Sequence, residues 1–269
     1  MNALERWEHD LPRWGIPEEI IAAAPESPWG FPVELFRIGD DPADPGPSTL
    51  RAREALEPGG TVLDVGVGGG AASIPLADRA SLIVGVDQSE AMLEEFRRAG
   101  RDRGVATQEL HGDWPQVAPL APTTDVVVCH HVFYNEPNLG PFARGLEEHA
   151  RRRVVVELTD RHPWSWMNDL WTRFHELERP DGPTADDAEE ALGELGFDVH
   201  REDHVPAPRG SGFERREDAV ALIRRRLCLW PDRDDEVAEA LGHRLVEREG
   251  LWSAGPADQA IVTLWWDRT

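Results

Sequence analysis

The stretch VLDVGVGGGA, residues 62–71, decides the fold. A short apolar run that ends in glycines is typical of a strand buried on both faces of a parallel sheet. Glycines after such a strand form a tight turn before a helix, and their backbone can approach a ligand closely because they lack Cβ. Gly66, Gly68 and Ala71 also fit the dinucleotide pattern G-x-G-x-x-G/A, so the glycines alone do not identify the ligand.

Strands and helices alternate on the C-terminal side of this turn. The pattern predicts seven strands, at 61–66, 82–87, 105–113, 124–131, 152–159, 197–203 and 259–266. It predicts helices between them at 71–78, 89–100, 138–150 and 184–196. Strands separated by helices indicate right-handed βαβ units. We therefore expect an α/β fold, with a doubly wound, mostly parallel seven-stranded sheet and helices on both faces.

Three segments exceed what this sheet requires: residues 1–60, 160–183 and 206–256. Within them the pattern predicts helices at 16–24, 214–230 and 234–249, and an irregular linker at 40–48. We expect residues 61–269 to form one α/β domain. We expect residues 1–60 to form an N-terminal helical segment that, with the two insertions, makes a lid over the C-terminal edge of the sheet.

The chain is strongly acidic. Its 269 residues include 51 Asp and Glu against 28 Lys and Arg, a formal net charge of −23. Nucleic acids and anionic membranes repel such a chain at long range, so we expect neither as a partner and a small molecule instead. Cys129 and Cys228 form no CxxC spacing, which indicates no metal site and no disulfide framework. Without a visible signal peptide or bilayer-spanning apolar run, a cytoplasmic location is expected.

Acidic residues follow three successive strands at the edge that carries the glycine turn. Asp64 lies two residues before the first glycine, where a buried carboxylate needs a partner such as a sulfonium or α-amino group. The same carboxylate would repel the pyrophosphate of a dinucleotide. Asp87 ends the second strand, where an acid can accept hydrogen bonds from both ribose hydroxyls. Gly112, Asp113 and Trp114 close the third strand, where an adenine ring could lie.

With these features in order, the sequence resembles the class I S-adenosylmethionine (SAM)-dependent methyltransferases, a Rossmann-like family. The resemblance covers roughly residues 60–205 and the last strand. It includes the fourth-strand motif TDVVVCHHVFYNEP (124–137), whose histidines flank the methionine portion of the cofactor. It implies SAM as cofactor, bound by Asp64, Gly66, Gly68, Gly70, Asp87, Gln88, Met92, Gly112, Asp113, Trp114 and His130. The Asn-Pro-Pro-aromatic motif of amino-methylating members is missing, which disfavours nucleobase methylation.

The resemblance implies transfer of the methyl group to a small-molecule acceptor, by O- or N-methylation. In such an in-line displacement the protein aligns the groups, excludes water and, where needed, removes a proton from the acceptor. We hypothesise that His131 or Tyr134 orients or deprotonates the acceptor. The alternative is that the histidines at 130 and 131 supply only backbone contacts and packing.

Tryptophan and arginine mark the segments outside the sheet. Trp29, Trp164, Trp166 and Trp171 either form an aromatic wall over an apolar acceptor or anchor the lid on the sheet. Short arginine runs are usually solvated faces paired with nearby acids. The run 224–226 could instead reach a carboxylate of the substrate.

Two other functions stay open at this stage. A NAD-dependent oxidoreductase would use residues 66–71 as a pyrophosphate turn, although Asp64 disfavours it. A non-catalytic SAM-binding protein would hold the cofactor under a lid that admits no acceptor. Because one fold hosts many functions, the fold does not decide among them, and an oligomer is also left open.

Overall fold

A seven-stranded sheet forms the centre of the protein, whose computed structural model describes residues 1–29, 45–206, 212–256 and 259–268. The strands are β1 (Gly60–Val65), β2 (Ala80–Asp87), β3 (Ala106–His111), β4 (Thr124–His130), β5 (Ala150–Thr159), β6 (His200–His204), β7 (Leu245–Arg248), β8 (Leu251–Ala254) and β9 (Ile261–Asp267). The sheet has the order β3-β2-β1-β4-β5-β9-β6, and β7 and β8 form a separate hairpin. Strand β9 is antiparallel to both neighbours, and the other paired strands of the sheet are parallel. The predicted α/β fold is confirmed.

Helices cover both faces of the sheet. They are α1 (Ala3–Asp10), α2 (Glu18–Ala23), α3 (Pro47–Ala55), α4 (Glu90–Arg103), α5 (Leu139–His149), α6 (Asn168–His175), α7 (Ala185–Glu194), α8 (Arg216–Arg226) and α9 (Asp234–Leu241). Successive residues of a strand point to opposite faces. Leu63 of β1 therefore joins the core under α1, α5 and α7, whereas Val62 joins the core under α3 and α4.

A third apolar cluster lies outside the sheet, in a part of the protein that we call the cap: α2, α6, α8, α9 and the hairpin β7–β8. It contains Leu170 of α6, Ile223 of α8 and Val237 of α9, all buried. The predicted N-terminal lid is divided among the three clusters. Helix α1 places Trp7 in the core on one sheet face, α3 covers the other face, and Ile16, α2, Glu26 and Trp29 contact the cap.

Several element boundaries differ from the sequence predictions. Residues 71–78 form only a short 3₁₀ turn at Ile74–Leu76, because Pro75 cannot donate the backbone hydrogen bond of an α-helix. The helix predicted at 234–249 ends at Leu241, before Gly242 with a φ of 52°. The remainder forms a 3₁₀ turn at Gly242–Arg244 and then β7. Helix α4 continues past Gly100 and ends at Gly104 in the left-handed region.

The N-terminal segment also contains helices that the sequence patterns did not predict. Asn2 and Glu5 form a capping box at the start of α1. Pro47 begins α3, because a proline in the first turn of a helix loses no hydrogen bond. The predicted linker at 40–48 is therefore wrong at its C-terminal end, whereas residues 40–44 lie outside the described residues.

Candidate active site

The glycine turn after β1 has a backbone that only glycine adopts readily. Gly66 has a φ of 75° and Gly68 a φ of 50°, both in the left-handed region. A Cβ on Gly66 would lie 2.2 Å from Val132 Cγ2, so the turn packs directly against the loop that follows β4. A Cβ on Gly68 would meet no atom within 4 Å. Gly68 thus faces open space in which a ligand can approach the backbone.

Asp87 at the end of β2 holds this turn in place. Its Oδ2 accepts a hydrogen bond from Gly68 N–H at 2.9 Å, and its Oδ1 accepts one from Ser89 N–H at 2.9 Å. A carboxylate oxygen has two lone pairs, so each oxygen can accept a second hydrogen bond. The residue predicted to bind a ribose therefore also fixes the loop beside it.

Asp64 is completely buried at the end of β1. Ser73 Oγ–H donates to Asp64 Oδ2 at 2.5 Å, whereas Oδ1 is buried and has no hydrogen-bond partner among the described residues. Burial raises the pKa of Asp64 to about 7, the Ser73 hydrogen bond opposes this rise, and the charge of Asp87 adds to it. A cationic group at Oδ1 would satisfy this carboxylate; that contact stays a prediction.

The residues predicted around the adenine are placed differently from one another. Trp114 is only 7% exposed and packs under α5, where its Nε1–H donates to Phe142 O at 3.4 Å. Its ring is a core residue and offers no face to an adenine, contrary to the sequence expectation. Gln88 and Asp113 are exposed and Met92 is half-buried. Their assignment to the cofactor site stays a prediction.

His131 follows β4 and has an unusual backbone. Its φ of 59° is in the left-handed region, which non-glycine residues adopt rarely and at a free-energy cost. Its N–H donates to Glu157 O at 2.7 Å. Its side chain is 47% exposed, and its Nε2 lies 3.2 Å from Glu157 Oε1. Strain of this kind persists where the surrounding structure holds a side chain in a defined place.

Glu157 is an acid near the end of β5 that the sequence analysis did not select. Its Oε1 lies 3.8 Å from His130 Nδ1 as well as near His131, and Ser48 Oγ–H donates to its Oε2. Burial alone would raise the pKa of Glu157, but His130, His131 and Ser48 outweigh burial and lower it to about 2. Glu157 is therefore an ionised carboxylate beneath two histidines.

His130 and Tyr134 lie on either side of the pair formed by His131 and Glu157, and their surroundings differ. The side chain of His130 is largely buried, its Nε2 has no partner among the described residues, and burial lowers its pKa. Tyr134 is held by Thr159, whose N–H donates to the phenol oxygen and whose hydroxyl lies 2.7 Å from it. Burial raises the pKa of Tyr134 above its usual value. These surroundings favour an orienting role for Tyr134, and proton uptake at His131; both roles stay predictions.

The four tryptophans predicted to contact the acceptor do not form one wall. Trp29 is 52% exposed, and its ring centroid lies 4.1 Å from Arg226 Cζ. The ring of Trp164 lies 4.9 Å from the same atom. Trp166 and Trp171 pack in the apolar cluster of the cap, and Trp171 is buried there. The structure thus brings Trp29 and Trp164 together at Arg226 and places Trp171 in a packing role.

The middle of the chain matches a protein-family model described as a methyltransferase domain, over residues 62–152. This part of the chain is a methyltransferase domain. The resemblance to methyltransferases inferred from the sequence motifs is confirmed. The methyltransferase domain contains every predicted cofactor residue, from Asp64 to His130, whereas Glu157 and the cap lie outside the matched range.

Two curated relatives share part of this domain. The ubiquinone biosynthesis O-methyltransferase of Hahella chejuensis is 38% identical over 87 residues, which cover 32% of this chain and 36% of the relative. The enzyme of the same description from Pseudomonas paraeruginosa is 30% identical over 112 residues, which cover 40% of this chain and 48% of the relative. The matches therefore span less than half the length of either relative.

Solved structures resemble the methyltransferase domain and its surroundings over most of the chain. One is a SAM-dependent methyltransferase of Thiobacillus denitrificans in complex with S-adenosyl-L-homocysteine (TM-score 0.50, 17% identity, 94% of this chain and 99% of that chain). Another is the YcgJ protein of Bacillus subtilis (TM-score 0.54, 14% identity, 82% of this chain and 98% of that chain). At these identities the likeness concerns the fold.

Membrane-spanning helices and metal clusters are both missing from the described residues. No helix in this part of the chain is both long enough and apolar enough to cross a membrane. In the same residues no group of three or more His, Cys, Asp and Glu is placed to hold a metal ion.

Proposed function

We propose that this chain is a SAM-dependent methyltransferase that methylates a hydroxyl oxygen of a small molecule. The observation that carries the proposal is the pair formed by His131 and the buried, ionised Glu157, directly beside the glycine turn. The two relatives support the choice of oxygen, since both are described as O-methyltransferases. A small molecule rather than a nucleic acid fits the net charge of −23.

Three features of the glycine turn fit SAM. Gly68 faces open space, Asp87 can still accept hydrogen bonds from ribose hydroxyls, and Asp64 Oδ1 is buried without a partner among the described residues. When bound, SAM supplies a methyl group activated by a sulfonium. The pyrophosphate of a dinucleotide would instead bring negative charge towards two carboxylates, which disfavours the oxidoreductase alternative.

The pair can remove the proton that an acceptor hydroxyl must lose. Because Nε2 of His131 faces Glu157, Nδ1 is the nitrogen that can take up the proton. Transfer of the methyl group to the acceptor oxygen would break the sulfur–methyl bond of SAM and leave S-adenosylhomocysteine. The acceptor O–H bond would break in the same step, and its proton would move to Nδ1 of His131. The imidazolium that results lies 3.2 Å from the largely buried Glu157 carboxylate, which stabilises its charge. Glu157 acts through His131 and is a positioning residue.

The cap supplies the other side of the site in this proposal. We propose that residues 61–269 form the domain that binds SAM, and that the insertions with α2 act as the lid. Trp29 and Trp164 then face the acceptor, whereas the apolar cluster beneath them holds the lid together. Exclusion of water from the closed site would strengthen the charge interactions at His131.

The experiment measures binding and turnover separately. Titration calorimetry with S-adenosylhomocysteine and with NADH is expected to detect only the first. Turnover is followed as S-adenosylhomocysteine formed from SAM with a panel of phenols and catechols. His131→Asn, which tolerates the left-handed backbone, is expected to lower kcat by about 100-fold or more while S-adenosylhomocysteine still binds.

Matched variants separate a proton-transfer role from general damage. His243→Ala removes an exposed histidine in the loop before β7 and is expected to leave kcat unchanged. Glu157→Gln is expected to lower kcat and change the pH dependence of kcat, whereas Glu157→Asp retains part of the activity. Near-native turnover in His131→Asn and Glu157→Gln would refute the proton-transfer role. Tight cofactor binding with no turnover on any acceptor would favour the non-catalytic binder.

A further inference from the structure

Two arginines in the last turn of α8 are equally buried but differently paired. Arg224 and Arg226 are each 7% exposed. Arg224 donates to Glu26 Oε1 at 2.7 Å, to Asp234 Oδ1 at 2.9 Å and to Leu229 O at 3.2 Å. Arg226 Nη1 is buried and has no hydrogen-bond partner among the described residues. Buried charges are normally paired, so Arg226 needs an explanation that Arg224 does not.

Aromatic rings fix the plane of Arg226. Its Cζ lies 4.1 Å from the ring centroid of Trp29 and 4.9 Å from that of Trp164. Rings that contact the face of a guanidinium stabilise its charge and leave its N–H groups pointing outward in the guanidinium plane. That edge matches the two oxygens of a carboxylate.

A second arginine increases the positive charge at this place. Arg179 Cζ lies 4.4 Å from the ring centroid of Trp171, and its Nη1 donates to Trp14 O at 2.6 Å and to Gly15 O at 2.8 Å. Burial, and then the charge of Arg179, lower the pKa of Arg226 to about 10. Arg226 therefore stays protonated at neutral pH, as guanidinium groups do in proteins. Neither arginine forms an ion pair with an acid of the described residues.

The histidine beside these arginines does not compensate their charge. Burial, followed by the charges of Arg226 and Arg179, lowers the pKa of His162 to about 3, so this residue is neutral at physiological pH. Its ring is stacked on Trp14, with 3.9 Å between the ring centroids. The cluster has two positive charges and an aromatic lining in a chain whose net charge is −23.

Ring contacts connect this cluster with the proposed proton-transfer pair. The ring centroids of His162 and Tyr134 are 5.7 Å apart, and those of Tyr134 and His131 are 6.4 Å apart. A molecule that contacts both Arg226 and His131 would therefore lie along His162 and Tyr134. Arg226 belongs to α8 of the cap, the part of the protein to which the proposed function assigns the acceptor.

We propose that Arg226, with Arg179 beside it, binds a carboxylate of the methyl acceptor, whose apolar body lies against Trp29 and Trp164. This inference rests on the proposed function, because it identifies the cluster as part of the acceptor site. A monovalent carboxylate is proposed rather than a phosphate monoester, since Arg179 Nη1 already donates to backbone carbonyls and only Arg226 Nη1 and Arg179 Nε of the two guanidiniums are buried without a partner among the described residues. The acceptor is thus a hydroxylated aromatic or apolar acid.

The test measures acid binding by the quenching of tryptophan fluorescence, with the full chain in the presence of S-adenosylhomocysteine. The probes are 4-hydroxyphenylacetate and 4-hydroxycinnamate, their uncharged amides, and phenyl phosphate. The acids are expected to bind at least tenfold more tightly than the amides, which corresponds to about 1.4 kcal/mol. Arg226→Gln is expected to abolish this preference and leave the binding of amides and S-adenosylhomocysteine unchanged.

The unfolding temperature separates a ligand-binding arginine from a structural one. Arg224→Gln removes three hydrogen bonds and is expected to lower the Tm, whereas Arg226→Gln removes an unpaired charge and is expected to leave the ligand-free Tm equal or higher. Arg226→Lys keeps the charge without the planar edge and is expected to retain only part of the preference for acids.

Three results would overturn the proposal: equal binding of acids and amides at millimolar concentration, including no binding of either; tighter binding of phenyl phosphate than of the carboxylates; or a Tm loss in Arg226→Gln as large as in Arg224→Gln. Failure of the proposed function gives a different result. In that case the acids still bind in an Arg226-dependent way, but S-adenosylhomocysteine neither binds nor forms.

Discussion

The methyltransferase domain and the cap build their polar sites in opposite ways. In the domain, Asp87 and Gly68 are 19 positions apart, and two neighbouring strands bring them together through a backbone hydrogen bond. In the cap, Arg224 pairs with Glu26 across 198 positions, and Arg226 lies against Trp29 from the same distant segment. The first site follows from a local motif, whereas the second exists only after the whole chain has folded.

This difference assigns different tasks to the two regions. A site made by strand ends and glycine backbone suits a ligand that is the same in every relative of the fold, because its geometry does not depend on inserted segments. A site made by arginine and tryptophan side chains on inserted helices can change without disturbing the sheet. The comparison suggests that the domain binds the methyl donor and the cap selects the acceptor.

The largest expected effect distinguishes a buried tryptophan of the domain, Trp114, from a half-exposed tryptophan next to the cap, Trp29. Trp114→Ala, in the domain, leaves a large void under α5 and is expected to lower the free energy of unfolding by about 3–5 kcal/mol. Trp29→Ala, next to the cap, is expected to change the free energy of unfolding by less than about 1 kcal/mol, because the ring is half-exposed. Urea unfolding measures both variants. A Trp114 variant of native stability that loses only cofactor binding would restore the adenine-contact interpretation.

An intermediate effect is expected when the carboxylate that holds the glycine turn in place is removed. Asp87→Ala loses the hydrogen bonds to Gly68 and Ser89 and is expected to weaken S-adenosylhomocysteine binding by about 10- to 100-fold, or ~1.4–2.8 kcal/mol. Calorimetry at fixed pH provides the measurement, and Glu109→Ala on the neighbouring strand serves as the control. Equal affinities of the wild type and Asp87→Ala for S-adenosylhomocysteine would refute the proposal that the methyl donor binds to the methyltransferase domain.

The smallest expected effect is a pH dependence caused by Asp64. Its pKa is raised to about 7 in the folded protein, so folding disfavours its ionised form. The cost of burying this charge is fully present above pH 7 and disappears as the pH falls towards the unfolded value of about 3.9. Asp64→Asn is expected to increase the stability of the ligand-free protein by about 1–2 kcal/mol at pH 8, with little gain at pH 4.

The measurement is the Tm of wild type and Asp64→Asn from pH 4 to pH 8, with and without S-adenosylhomocysteine. The ligand is expected to stabilise the wild type more than the variant, because its α-amino group can pair with the ionised carboxylate. A Tm difference that does not vary with pH would mean that Asp64 is not buried as a titrating acid.

The sequence predicted the regions whose contacts are local. The glycine turn, Asp87 and the seven strands follow from a pattern of apolar runs, glycines and acids within single βα units. The sequence analysis did not select Glu157, because the run RRVVVELT predicts a strand and does not show which side chains meet Glu157. The available signal was a charged residue near the C-terminal end of a buried strand, where parallel strands carry their functional groups.

The cap could not be predicted at the same level, because its pairings join distant segments. Nothing in the run 224–226 indicates that Arg224 meets Glu26 and Asp234 while Arg226 faces two tryptophans. The same limit applies to Trp114, because a residue that follows a strand can either contact a ligand or pack in the core. Only the packing of α5 against it decides between the two.

The left-handed backbone at position 131 also restricts how this protein can diverge. Asparagine, aspartate and glycine adopt that conformation with the least penalty, whereas β-branched and bulky side chains are strongly disfavoured. Descendants of this sequence can therefore exchange the imidazole only for a short polar group or for none. New specificities are expected to arise by drift in the inserted helices, while the proposed proton acceptor His131 is either retained or lost outright.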